Sequence, residues 1–312
     1  MNKIEKFEIL YKNFGVKFAI NYTKAYIYMR IFKKRTFMFQ VIEEYIENNF
    51  KSFIDEAKSQ NNIGELTDKY RIWVCWLQGE ENMPEVVKVC YRNLRQKITD
   101  KEIVLITLNN LKDYVEFPDY IYEKFEQGKI TPTHLSDIIR VALLSKYGGM
   151  WIDSTIFITN AIKNNQEIFD SKFFTHKILN QNDNKFYSQY RWSVFLFGTK
   201  YKNNDVFILM YKFWLLYWRK YDILLDYWLL DFIVGILYKN NILVKECVDD
   251  NKENNIALHY FKNKLDKKCC FEEFNNVLQN NCFFKLTYKE NIDFNKTDTN
   301  FAKLSEFSGA KD

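Results

Sequence analysis

Proline and glycine are scarce in this chain, 3 and 9 among 312 residues. Such a shortage excludes long flexible linkers and leaves one large unit or two closely packed halves. Histidine is scarcer than a metal clip wants. His134, His176 and His259 stand far apart, the six cysteines form no C-x-x-C spacing, and Cys269 and Cys270 are adjacent. A zinc site is therefore not expected, and the thiols read as free and buried in a reducing compartment. Long apolar runs are missing too. Even FWLLYWRKYDILLDYWLLDFIVGILY is broken by Arg219, Lys220, Asp222, Asp226 and Asp231, well short of the ~20 residues of a bilayer span. The opening MNKIEKFEILYKNFG carries acids early and lacks the apolar core of a secretory signal, so a cytoplasmic location is expected. Nor is there a strong excess of charge: 45 basic against 40 acidic residues give +5. That is too mild for a nucleic-acid partner but suits phosphates or an anionic lipid surface.

What the chain has is apolar and aromatic mass, 47% and 18% of residues, enough for a large core. Up to about Asp68 the spacing is helical: Phe7, Leu10, Tyr11 and Phe14 recur along one face, as do Ile42, Tyr45, Ile46, Phe50 and Phe53. Between them lies YIYMRIFKKRTFMF, basic and aromatic. Its first reading is a core-packing helix with a solvated Lys/Arg edge; the other is an amphipathic element on an anionic membrane. The texture then changes. RIWVCWLQG reads as a buried strand, PEVVKVCYRNLRQ as a helix begun by Pro84, and KEIVLITL as a second strand. DYIYEKFEQG and THLSDIIRVALLSKYGG read as helices and MWIDSTIFI as a third strand. This alternation is an α/β pattern with a mainly parallel sheet, whose ligands bind at the carboxyl ends of strands. WSVFLFG adds a strand, and helices are expected over 205–218 and 224–238. CCFEEFNNVLQN reads as helix, CFFKLTYKE as a closing strand, and the polar end from about Asn291 is expected to fray.

The chemistry gathers around the glycine pair in KYGGMWIDST. Leu135, Ile138, Ile139, Ala142 and Leu143 make one apolar stripe on the preceding helix. Asp137 and Arg140, at i and i+3, project together, with Ser136 one turn before Arg140. Tyr147 and Gly148–Gly149 stop the helix, and the strand that follows delivers Asp153. An acid, a guanidinium and a second acid thus meet at one sheet edge. Arginine forks onto phosphate or sugar oxygens, and carboxylates accept from sugar hydroxyls or hold a hard cation. Taken singly, each feature is a surface ion pair or a helix stop; the ordered set is far more specific. Asp231 fits the polar edge of a helix better than an acceptor-facing acid. His134 fits a helix cap and a donor contact equally well.

The block SDIIRVALLSKYGGMWIDST resembles the S-D-x-x-R…Y-G-G-x-[YW]-x-D signature of glycosyltransferases with DXD-type sugar-binding regions. The most similar members are the bacterial capsular polysaccharide synthesis proteins; initiating mannosyltransferases and clostridial glucosylating toxins are more distant. RIWVCWLQGEENMPEVV resembles the family's opening strand and Pro-started helix, and CFFKLTYK its closing segment. The resemblance implies a GT-A-type α/β domain, a Rossmann-like mixed sheet with flanking helices, over 69–290. A helical N-terminal extension (1–68) precedes it and a polar tail (291–312) follows.

A nucleotide-sugar donor is implied, with UDP the family-weighted nucleotide. Trp76 would lie against the nucleobase beside Gln78 and Gly79, and Asp137 and Arg140 would hold the donor sugar. Asp153 would reach the ribose and the metal shell, and Lys285, Thr287 and Lys289 the diphosphate. Gly148, Gly149, Ser154 and Thr155 complete the implied donor contacts. Mn²⁺ or Mg²⁺ is implied at Asp153 and Thr155. A hydroxyl in the second acid's slot is a poor ligand for such an ion, and basic residues near the end of the chain could share the neutralisation. The implied activity is retaining hexosyl transfer to a growing capsular or other cell-surface polysaccharide. Asp231 is the candidate facing a lipid-linked acceptor, and the protein would sit in the cytoplasm or peripherally at its membrane face. The alternative is a non-catalytic nucleotide-sugar-binding relative that partners or regulates a transferase complex.

Overall fold

The computed structural model describes residues 3–178 and 185–309. Four helices come first: α1 (Lys3–Phe14), α2 (Val16–Phe32), α3 (Thr36–Asn49) and α4 (Lys51–Ala57). Leu10, Phe14, Phe18, Ile42, Ile46, Phe50 and Phe53 carry their apolar faces into the main core. There Phe14 meets the ring of Tyr221 at 5.3 Å, and the Tyr45 and Tyr221 hydroxyls hydrogen-bond at 2.9 Å. YIYMRIFKKRTFMF is not one helix. Lys33 takes the left-handed conformation between α2 and α3. Met38 and Phe39 beyond it are core, whereas Ile27, Ile31 and Phe32 before it are exposed.

The chain then runs through β1 (Glu65–Leu66), β2 (Arg71–Cys75), α5 (Glu85–Lys97), β3 (Glu102–Ile106), α6 (Leu111–Tyr114), α7 (Asp119–Glu126) and α8 (Pro132–Tyr147). Strands β4 (Gly149–Ile152), β5 (Ile156–Ile158), β6 (Phe174–Thr175), β7 (Leu196–Thr199) and β8 (Tyr201–Lys202) follow. Helices α9 (Asp205–Lys220), α10 (Leu229–Asn240), α11 (Ile242–Asp249) and α12 (Phe271–Gln279), strand β9 (Phe283–Lys285) and helix α13 (Asn300–Phe307) complete it.

The central sheet has the order β3-β2-β4-β7-β6. The pairs β2/β3 and β2/β4 are parallel, and β4/β7 and β6/β7 antiparallel. The sheet is therefore mixed rather than mainly parallel, and with its flanking helices it is compatible with a GT-A-type fold. Both faces are covered. Trp73 and Cys75 join α8 and α9 on one side, and Ile72 and Val74 join Val87 and Leu94 of α5 on the other. This is why β2 reads as a continuous apolar run instead of an alternating one.

Three local expectations change. MWIDSTIFI is two strands in two sheets: β4 lies in the central sheet, and β5 pairs with β9. Between them the chain turns, with Ile156 N–H donating to the Asp153 carbonyl at 2.9 Å. Helix α10 begins at Leu229, because Leu224–Trp228 is irregular. The end of the chain does not fray within the described residues; α13 buries Phe301 and Leu304 in a third apolar cluster with Val86, Val89 and Cys90 of α5.

Candidate functional site

Helix α8 aims the first two charged residues. Thr131 caps it, its hydroxyl accepting the His134 N–H at 3.4 Å, and Pro132 takes the first turn where no N–H is needed. Its buried stripe fixes the helix against α9 and the sheet, so that Asp137 and Arg140 face the sheet edge. The chain just past strand β4 supplies the next residue, Asp153. Because strand side chains alternate, Trp151 and Asp153 share a face, and the indole Nε1 donates to Asp153 Oδ1 at 2.8 Å. Strand β9 supplies the last. Its ladder with β5 pairs Ile156 with Lys285, and Leu286 N–H donates to the Thr155 carbonyl at 2.9 Å.

The result is an alternating row of charge. Asp137 Oδ1 lies 2.9 Å from Arg140 Nη1, Arg140 Nη2 lies 3.0 Å from Asp153 Oδ1, and Lys285 Nζ lies 2.7 Å from Asp153 Oδ2. Arg140 is only 3% exposed and sits 4.9 Å from the Trp151 ring centroid. Burial alone would raise Asp153, but Lys285 and Arg140 outweigh it and hold its carboxyl below the usual range. Asp137 moves the other way, to about 6: burial dominates, Arg140 pulls against it and Asp153 adds to it. The site thus contains one firmly ionised acid and one that gives up its proton only near pH 6.

Two adjoining cavities open on this row. One, of about 290 Å³, includes Asp137, Arg140, Asp153 and Asp231 in its lining. The other, of about 490 Å³, runs from Trp76 and Gln78 to Lys285, Thr287 and Lys289. They share Thr133, Ser136, Asp153, Tyr227, His259 and Lys285. Trp76 meets Tyr288 edge to face at 5.7 Å beside the larger one. The two cavities differ in charge. The smaller sets Asp137, Asp153 and Asp231 against Arg140 and Lys285, whereas the larger sets Lys262, Lys285 and Lys289 against Asp153 alone.

Asp231, expected on a helix edge, instead lines the smaller cavity from the first turn of α10. It accepts from Trp192 Nε1 at 3.1 Å, and burial, with Asp137 nearby, raises it to about 7. Ser154 and Thr155 line the larger cavity; Gly79 only shapes the turn beside it, at φ 91. Gly148 and Gly149 line neither. They lie at the start of β4, at ~3.3 Å per residue more than ~10 Å from Asp153. Both take positive φ, and a Cβ on Gly149 would stand 2.3 Å from the Arg71 carbonyl oxygen. The glycine pair therefore makes the helix-to-strand turn, away from both cavities. His134 also lines neither cavity, its Nδ1 pairing with the Thr131 hydroxyl at 2.7 Å.

The pair expected to hold a divalent cation does not fit one. Both Asp153 oxygens are engaged by cations, and Thr155 is 8% exposed. Among the described residues no three His, Cys, Asp or Glu side chains stand together as ligands. An ion shared with substrate phosphates and water can manage with one protein carboxylate, but here both oxygens of that carboxylate already face a cation.

Sequence reasoning missed Trp192, Tyr227, His259 and Lys262, which approach from irregular segments with no periodicity to read. Trp151 was within reach of it, since the i, i+2 alternation of a strand pairs it with Asp153.

No helix among the described residues is long and apolar enough to cross a membrane. No solved structure matches the chain. The O-glycosyltransferase braB of Annulohypoxylon truncatum is 29% identical over 102 residues, which cover 30% of this chain. The match takes in 24% of that relative, so the chain spans about a quarter of its length. The model of the capsular polysaccharide synthesis protein family matches residues 24–304, most of the sequence, and the chain belongs to that family.

Proposed function

We propose that the protein is a glycosyltransferase of hexosyl type that moves a sugar from a nucleotide-sugar donor, UDP-linked by family weight, to a growing cell-surface polysaccharide. One observation carries the reading: an Asp–Arg–Asp–Lys row stands where a cavity rich in carboxyl groups meets a basic one. The basic cavity suits a diphosphate, with Trp76 offering a face or edge to the base. The cavity lined by the three carboxyl groups suits sugar hydroxyls, which donate to carboxylates. In the transfer a bond forms between the acceptor oxygen and the anomeric carbon, and the bond from that carbon to the phosphate oxygen breaks. The electron pair stays on the departing diphosphate, and the acceptor proton leaves to that phosphate oxygen, as retention of configuration suits. Cations held in place stabilise the charge that develops there. Asp153 orients Lys285 and Arg140 for that role, and Asp231 stands where an acceptor hydroxyl would enter.

The test follows donor turnover. With a panel of nucleotide sugars, one donor should bind and be slowly hydrolysed. Asp153→Asn and Arg140→Ala should cut turnover by ~10²-fold or more in folded protein. A variant with wild-type turnover refutes its assignment, and binding without turnover on any acceptor favours the non-catalytic reading.

The acceptor proposed is lipid-linked, and helix α2 supplies the reason. Val16, Ile20, Ile27 and Ile31 are exposed and fall within about 60° of arc at 3.6 residues per turn. Exposed Lys17 and Lys24 border the stripe on one side and Arg30 on the other, and Lys33 and Lys34 follow its end. An apolar stripe between basic margins complements an anionic bilayer surface, and the proposed occupant of this face is such a surface.

A further inference from the structure

We infer that the donor's diphosphate is neutralised here by a fixed ammonium, that of Lys285, in place of a divalent cation. The inference rests on the donor reading above and specifies how that site works.

The argument starts from the backbone. Lys285 is no wandering surface lysine. The β5–β9 ladder puts it opposite Ile156, one turn from Asp153, and the Leu286 N–H to Thr155 carbonyl bond continues the register on the other side. Its Nζ lies over the Phe195 ring, 4.8 Å from the centroid. Its ammonium therefore occupies the flank of Asp153 that faces both cavities.

The carboxylate is then accounted for. Oδ1 receives Arg140 Nη2 at 3.0 Å and Trp151 Nε1 at 2.8 Å, and Oδ2 receives Lys285 Nζ at 2.7 Å. A divalent ion binding Asp153 would have to displace Lys285 and then sit beside the buried Arg140 charge. Its second protein ligand would be the hydroxyl of Thr155, which is almost covered. Like charges at such separation disfavour this strongly where water is scarce.

The same arrangement favours a diphosphate. Lys285 can share its protons between Asp153 and a phosphate oxygen, since an ammonium has three donors. Lys262 and Lys289 line the same cavity and add charge without a rival acid beyond Asp153. Three lysines offset most of the charge of a bound nucleoside diphosphate, which is the work a bridging metal does elsewhere.

The experiment is calorimetric titration of the full chain with UDP and UDP-sugars, in EDTA and again in Mn²⁺. Wild-type affinity should change by less than about threefold between the two. In EDTA, Lys285→Met should weaken UDP binding by about tenfold or more, since it removes a charge-assisted phosphate contact. Lys285→Arg, which keeps the charge, should recover a large part of it. Manganese resonance spectra should show no ion retained with UDP. Binding that appears only with Mn²⁺, or a Lys285→Met protein that binds UDP as wild type does, overturns the inference while the donor reading stands. If Lys285→Met does not fold, the two wild-type titrations decide alone. Failure to bind any nucleotide in either condition, in folded protein, removes the donor reading and this inference with it.

Discussion

Asp231 carries a charge that the fold resists, and replacing it by asparagine tests how much. Its carboxyl lies at the first turn of α10, accepts from Trp192 Nε1, and is raised from 3.8 to about 7 by burial, with Asp137 adding. The folded chain therefore holds the proton more tightly than the unfolded chain. The stability this contributes is complete below pH ~4 and is lost as the pH rises through about 7. At ~1.4 kcal/mol for each tenfold change in acidity, the full loss is about 4 kcal/mol. Contact of the carboxyl with the open cavity lowers that to ~2 kcal/mol, because water there relieves part of the burial cost. Asparagine keeps an oxygen for the indole and removes the charge. Asp231→Asn should thus match wild type near pH 4 and exceed it by about 2–4 kcal/mol at pH ~8.5, read by urea unfolding. If Asp231 also faces the acceptor, transfer should fall by ~10²-fold in this more stable protein. A stability difference that is the same at both pH values refutes the burial argument. Full transfer activity refutes the acceptor role.

Two further outcomes follow from the turn and from α2. Gly149→Ala forces a Cβ to within 2.3 Å of the Arg71 carbonyl oxygen at φ 90. It should lower stability by ~2 kcal/mol or more in thermal unfolding yet leave the UDP affinity of the folded fraction unchanged; lost affinity at wild-type stability would return the glycine pair to the donor site. The full chain should sediment with vesicles containing phosphatidylglycerol and not with neutral ones. Ile27→Glu with Ile31→Glu should abolish this without affecting transfer to a soluble acceptor. No binding to anionic vesicles refutes the membrane face, as does a wild-type dimer that the double variant makes monomeric.

Asp137, Arg140 and Asp153 were legible because local periodicity places them: i, i+3 on a helix and the end of the strand that follows. Lys285 entered only through the likeness of its segment to a family's closing block. Its position depends on a ladder between residues 129 apart in the chain, Ile156 and Lys285. Trp192 and Tyr227 were illegible, since irregular chain carries no period that encodes which cavity it borders. The parity of the sheet was hidden for a related reason. A strand covered on both faces is apolar throughout, whichever way its neighbours run.

That same covering hid the break inside MWIDSTIFI, where both halves are buried and the run looks continuous. A single strand would have set Asp153 and Thr155 on one face as i and i+2, the arrangement in which the hydroxyl could act as a second ligand. The turn that bonds Ile156 back to Asp153 sends the chain into another sheet instead. It leaves Asp153 between the cavities, ties Thr155 by its carbonyl to Leu286 just beyond the β5–β9 ladder, and brings Lys285 to the carboxylate through that ladder. The error about the strand and the misfit of the metal pair therefore have one cause. The turn that replaces the long strand is also what puts an ammonium beside the lone acid.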